Sequence, residues 1–126
     1  MVIITDDMTI EEIMCLFYEE YGSDFNWHLV PFDNKTFVNQ LRRELNPDNE
    51  YIAGDVFAVA KCDSNDDVLF LSDKDVWRIY HLTYSYDNAS KYPLYKEFTG
   101  RREAAEYLQE IYVNGVWFMK VFIIED

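Results

Sequence analysis

Two histidines, two cysteines and 24 carboxylates are the side chains of this 126-residue chain with the most chemistry to offer. His81 stands in an extended run, Val76-Trp77-Arg78-Ile79-Tyr80-His81-Leu82-Thr83-Tyr84, with Ser85 following. An imidazole served by an orienting acid and an activated hydroxyl is acyl-transfer machinery, which makes a small hydrolase using His81 one reading. On a strand, alternate residues share a face through pleating alone, and a structural histidine bonded to backbone or hydroxyl explains the same pattern. No catalytic residue is therefore assigned. Neither His28 nor His81 belongs to an HExxH pair, so a zinc site would need carboxylates recruited through the fold. Asp63-Ser64-Asn65-Asp66-Asp67 begins like a calcium loop, but Val68 takes the place of the required glycine and Lys74 the place of the closing glutamate, which leaves a hairpin turn. Cys15 and Cys62 form neither a CxxC pair nor a disulfide framework, and Cys15 has acidic neighbours and no local cation to favour a thiolate; both read as reduced core residues. Gly22, Gly54, Gly100 and Gly115 are isolated, so no phosphate-cradling loop exists. The expectation is a protein without metal or cofactor that is not an enzyme.

The carboxylates are the stronger signal. Asp6, Asp7, Glu11, Glu12, Glu19, Glu20, Asp24 and Asp33 occupy the first 34 positions, which hold no Lys or Arg. The formal charge is -13, from 24 acidic against 11 basic residues. Such a chain repels a phosphate backbone, which argues against direct nucleic-acid binding. It attracts a basic protein, with aromatic side chains as the anchors that hold such a complex after electrostatic steering. The partner-binding residues expected from the sequence are Asp6, Asp7, Glu11, Glu12, Glu19, Glu20 and Asp24, with Tyr18, Tyr21 and Tyr86 as anchors. A solvated acidic face that serves only solubility is the plain alternative.

Elements must position these groups. At 49% hydrophobic and 17% aromatic, the chain is far from the composition of disorder, and its length fits a single globular domain over 1-126. Thr9 precedes Ile10, Ile13, Met14 and Phe17 at helical spacing, and Glu12 stands three residues on as a capping-box partner, predicting a helix over about 9-21. Phe25, Trp27 and Pro31-Phe32 read as an aromatic connection tucked against the core. A second helix is predicted over about 34-45, with Phe37, Val38, Leu41 and Leu45 as its buried stripe. Three strands joined by polar turns then form an antiparallel meander over 56-62, 68-71 and 76-84, and 94-98 adds a short edge strand. A third helix over about 101-112 packs through Ala104, Ala105, Leu108, Ile111 and Tyr112. The run from Val116 to Ile124 is expected to be an internal strand beside a strand at Val2-Ile3-Ile4. The fold class is α+β: an antiparallel sheet of about four to six strands against two or three helices, covered by helices on one face and partly shielded on the other. No membrane span or secretion signal is recognisable, so the expected location is cytoplasmic.

The run Cys62-Asp63-Ser64-Asn65-Asp66-Asp67-Val68-Leu69-Phe70-Leu71, followed by Trp77-Arg78-Ile79-Tyr80-His81-Leu82-Thr83-Tyr84-Ser85, resembles a group of small bacterial proteins with an "HLTWS" signature. Some of these are regarded as immunity proteins of polymorphic or contact-dependent toxin systems. The resemblance covers mainly residues 54-112, with Tyr84 in the place of the usual Trp, and leaves out the acidic amino-terminal part. It implies a structural role for His81, Thr83 and Ser85. It also implies an immunity protein that neutralises a cognate cationic toxin, such as a nuclease, by stoichiometric occlusion. A small adaptor or homo-oligomeric structural protein is the remaining alternative.

Overall fold

The computed structural model describes residues 1-84 and 93-115. The first helix, α1 (Ile10–Tyr21), begins at a reciprocal cap: the Glu12 amide donates to Thr9 Oγ1 at 3.1 Å, and the Thr9 amide donates to Glu12 Oε1 at 3.0 Å. It ends where Gly22 adopts φ +74, a backbone angle that costs glycine little because it has no Cβ. Its buried residues are Ile13, Met14 and Phe17. The later helices are α2 (Thr36–Glu44) and α3 (Gly100–Asn114).

Five strands, β1 (Trp27–Leu29), β2 (Val56–Cys62), β3 (Asp67–Ser72), β4 (Trp77–His81) and β5 (Tyr95–Phe98), form one sheet in the order β1-β2-β3-β4-β5. Every neighbouring pair is antiparallel. Leu69 pairs with Ile79 and Val68 with Tyr80, so successive residues of β3 and β4 point to opposite faces. Leu69, Trp77 and Ile79 pack with Ile13, Phe17 and Phe25 and with Ala104, Ala105 and Leu108 of α3. Val68, Phe70 and Tyr80 pack with Val38, Leu41 and Leu45 on the other side. Helices thus cover both faces, α1 and α3 on one and α2 on the other, which corrects the expectation of a single helix-covered face. The apolar residues of both parities in β3 follow directly: Val68, Leu69 and Phe70 are each 0% exposed.

Three further expectations are corrected. The segment Val2-Ile3-Ile4 is not a strand; the Gln109 side chain holds the Val2 backbone instead, accepting from its amide at 2.7 Å and donating to its carbonyl at 3.0 Å. Ile4 is buried while Ile3 is 81% exposed. The aromatic connection contains β1, with Trp27 opposite Cys62, and although Phe25 and Trp27 are buried, Phe32 is 80% exposed. Cys62 is buried as expected, but Cys15 is exposed. The strand expected over 116-124 lies outside the described residues.

Candidate partner-binding face

At 100° per residue, Glu11, Glu12, Cys15 and Glu19 fall on the side of α1 opposite Met14, Phe17 and Tyr21. All four are exposed. None of Glu11, Glu12 and Glu19 has an ion-pair partner among the described residues. Glu20 lies on the opposite flank, 3.6 Å from the amino-terminal ammonium group. Asp6 and Asp7 lie in the turn before α1. The Arg101 guanidinium donates to the Asp6 carbonyl at 2.7 Å, and Arg102 stands 3.7 Å from the Asp6 carboxylate. Asp7 accepts from the Thr5 hydroxyl, which lowers its pKa. Asp24 is exposed in the 3-10 turn Gly22–Asp24 at the far end. The predicted carboxylates therefore follow the length of α1, with Glu11, Glu12 and Glu19 on its solvent side.

The predicted aromatic anchors are placed differently. The Tyr18 phenol donates to the Trp27 carbonyl at 2.7 Å, and its ring stacks on His28 with centroids 5.6 Å apart. Burial raises its pKa, with Asp63 adding to the effect. The Tyr21 phenol donates to Gln109 Oε1 at 2.6 Å. Both rings are half-buried and brace α1 against β1 and α3. Tyr86 lies outside the described residues. A shallow apolar cleft of about 380 Å³, largely open to solvent and lined among the described residues by Met8, Glu11, Glu12, Cys15 and Leu16, lies on the solvent side of α1 instead, with Met8 also packed against the core. Sequence reasoning missed it, although Leu16 was legible as an apolar residue off the buried stripe.

The His81 cluster occupies another region. Asp67 and His81 are directly opposed on β3 and β4, with Asp67 Oδ1 2.7 Å from His81 Nδ1. Asp67 is 0% exposed, and its second oxygen has no hydrogen-bond partner among the described residues. Burial pushes its pKa up to about 6, against the lowering effects of His81, Asn65 and Lys61. The bond to Asp67 raises the pKa of His81, against desolvation, with Asp66 and Glu44 adding negative potential.

Beyond His81 the chain leaves the sheet. The Thr83 amide and hydroxyl donate to Glu44 Oε1 at 2.8 and 2.7 Å, and the Tyr84 amide donates to Glu44 Oε2 at 2.9 Å. Gln40 Nε2 donates to the same oxygen at 2.8 Å. These bonds replace a strand ladder, and Tyr84 adopts φ +55, which is why β4 stops at His81 rather than running to 84. Glu44 itself is 2% exposed. It stands three residues after Leu41 and four after Gln40, on the buried side of α2, and a charged residue at that spacing was the available sequence signal.

His28 also pairs with an aspartate, its Nδ1 lying 2.6 Å from Asp63 Oδ2 on the exposed surface. Among the described residues, no group of three or more His, Cys, Asp and Glu side chains is arranged to hold a metal ion. No helix among them is long and apolar enough to cross a membrane. No protein-family model matches the chain, and neither a curated protein nor a solved structure shows detectable similarity to it.

Proposed function

We propose that this chain is a stoichiometric inhibitor of a basic protein, acting as an immunity protein against a cationic toxin in the cytoplasm. The observation that carries the reading is the solvent side of α1, where Glu11, Glu12 and Glu19 stand without ion-pair partners among the described residues. The helix beneath them is fixed to the core by Ile13, Met14 and Phe17. Carboxylates held on a rigid element keep their backbone spacing when a partner arrives, so little backbone ordering entropy is lost on binding. The complementary charge is that of a protein that uses Lys and Arg to hold nucleic acid, and covering those groups blocks its substrate. The resemblance of the His81-Leu82-Thr83-Tyr84-Ser85 region to "HLTWS"-signature proteins supports the immunity assignment.

The Asp67–His81 pair supplies an oriented imidazole, as a hydrolase would need. The Thr83 hydroxyl, however, donates to Glu44, which favours a strap between β4 and α2 over a nucleophile.

Co-expression with the toxin encoded beside its gene tests the inhibitor reading. A one-to-one complex on size-exclusion chromatography, together with survival of cells that otherwise die, is the expected result. Absence of both a complex and protection would defeat it.

A further inference from the structure

The cleft on α1 has chemistry that a surface built only for solubility does not need. Met8 and Leu16 bring half-buried apolar side chains to it, Cys15 lies between them in sequence, and Glu11 and Glu12 line it with carboxylates. Glu19 continues the negative stripe toward the helix end. An apolar recess bordered by carboxylates without ion-pair partners among the described residues matches an apolar side chain flanked by cations, since the apolar group gains from leaving water while the rim sets charge preference. Nucleic acid brings the wrong charge, and a second copy of this chain would set the same carboxylates face to face.

We propose that this cleft is a socket for an aliphatic side chain from a lysine- or arginine-bearing protein segment. Met8 and Leu16 receive the apolar group, while Glu11, Glu12 and Glu19 meet the flanking cations. This deepens the inhibitor reading by naming what the acidic face recognises, and in that sense it rests on that reading.

Two helical peptides of equal lysine content, one with a central leucine and the other with serine in its place, test the socket by titration against the full chain at low salt. The leucine peptide is expected to bind about tenfold tighter, the effect of burying one aliphatic side chain. Leu16→Asn and, separately, Met8→Ser should reduce that preference to about twofold or less, while Glu11→Lys with Glu19→Lys weakens both peptides alike. The leucine peptide should also slow alkylation of Cys15 by iodoacetamide; Cys62, the other cysteine, is buried.

Equal affinity for the two peptides, no binding of either, or a preference that survives both cleft variants would overturn the socket. So would a Cys15 already closed to the reagent in the free chain, or self-association abolished by Leu16→Asn. If a toxin complex forms but leaves Cys15 alkylation unchanged, the socket fails and the inhibitor reading stands. If no toxin is bound or neutralised but the leucine preference holds, the socket stands and the inhibitor reading fails.

Discussion

At the residue scale, Glu44 holds a junction of the fold that its charge conceals. Among the described residues its two oxygens accept hydrogen bonds from Gln40, the Tyr84 amide, and the amide and hydroxyl of Thr83, and so tie α2 to the end of β4. Replacing it with Ala orphans these donors, although the exposed Thr83 and Tyr84 regain part of the loss through water. Glu44→Ala should therefore cost about 2–3 kcal/mol in urea unfolding, with Glu44→Gln recovering part of it; a cost near zero would remove the strap. Asp67 and His81 add a pH dependence whose sign is determined. Both groups have folded pKa values above their ordinary ones, Asp67 at about 6, so the folded state holds protons more tightly. Their stabilising contribution is full below about pH 4 and is lost as pH rises through about 6 and then through the raised His81 value, the pair titrating as a unit. Unfolding followed between about pH 5 and about pH 8 should show stability falling with pH, with a shallower fall in Asp67→Asn. Equal slopes in the two proteins would show that the repulsion of the remaining carboxylates accounts for the trend.

At the element scale, legibility followed local chemistry. The capping box at Thr9 and Glu12 placed the start of α1 to within a residue, and the polar turns at 63-66 and 72-74 separated β2, β3 and β4, because these signals lie in a few adjacent side chains. β1 has three residues, too few for an alternation pattern, and its existence depends on Cys62, Lys61 and Ala60 far along the chain. Val2-Ile3-Ile4 has strand-forming composition, yet a side chain of α3 satisfies its backbone. Composition could not show that the partner would be an amide from position 109. Replacing Gln109 with Leu should release the amino-terminal segment and the Tyr21 phenol together, speeding hydrogen exchange at the Val2 amide and costing about 1–2 kcal/mol. Exchange at Val2 unchanged from the wild type would mean that burial of Ile4 alone anchors the segment. The acidic side of α1 was legible in the same way as the cap, whereas the inward turn of the Tyr18 and Tyr21 phenols was not, since their acceptors belong to β1 and α3.

At the scale of the whole molecule, the net charge of -13 acts on both stability and association. Carboxylates crowded along one helix repel one another in the folded state, and added salt weakens that repulsion, most of all between charges more than about 10 Å apart. Reversal of three of them, Glu11→Lys, Glu12→Lys and Glu19→Lys, relieves it, although Glu12 also caps the Thr9 amide, so the net stability change should stay within about 1 kcal/mol. Association with a basic partner responds far more strongly, because diffusional encounter samples the summed field before any contact forms. The triple variant should bind the cognate basic protein at least about tenfold more slowly in low salt, and the gap should shrink to about twofold near 0.5 M salt, where screening leaves little steering to lose. Stopped-flow association rates across a salt series measure this directly. Rates that coincide with the wild type at low salt would move the interface off α1, leaving that helix face to keep the protein dissolved.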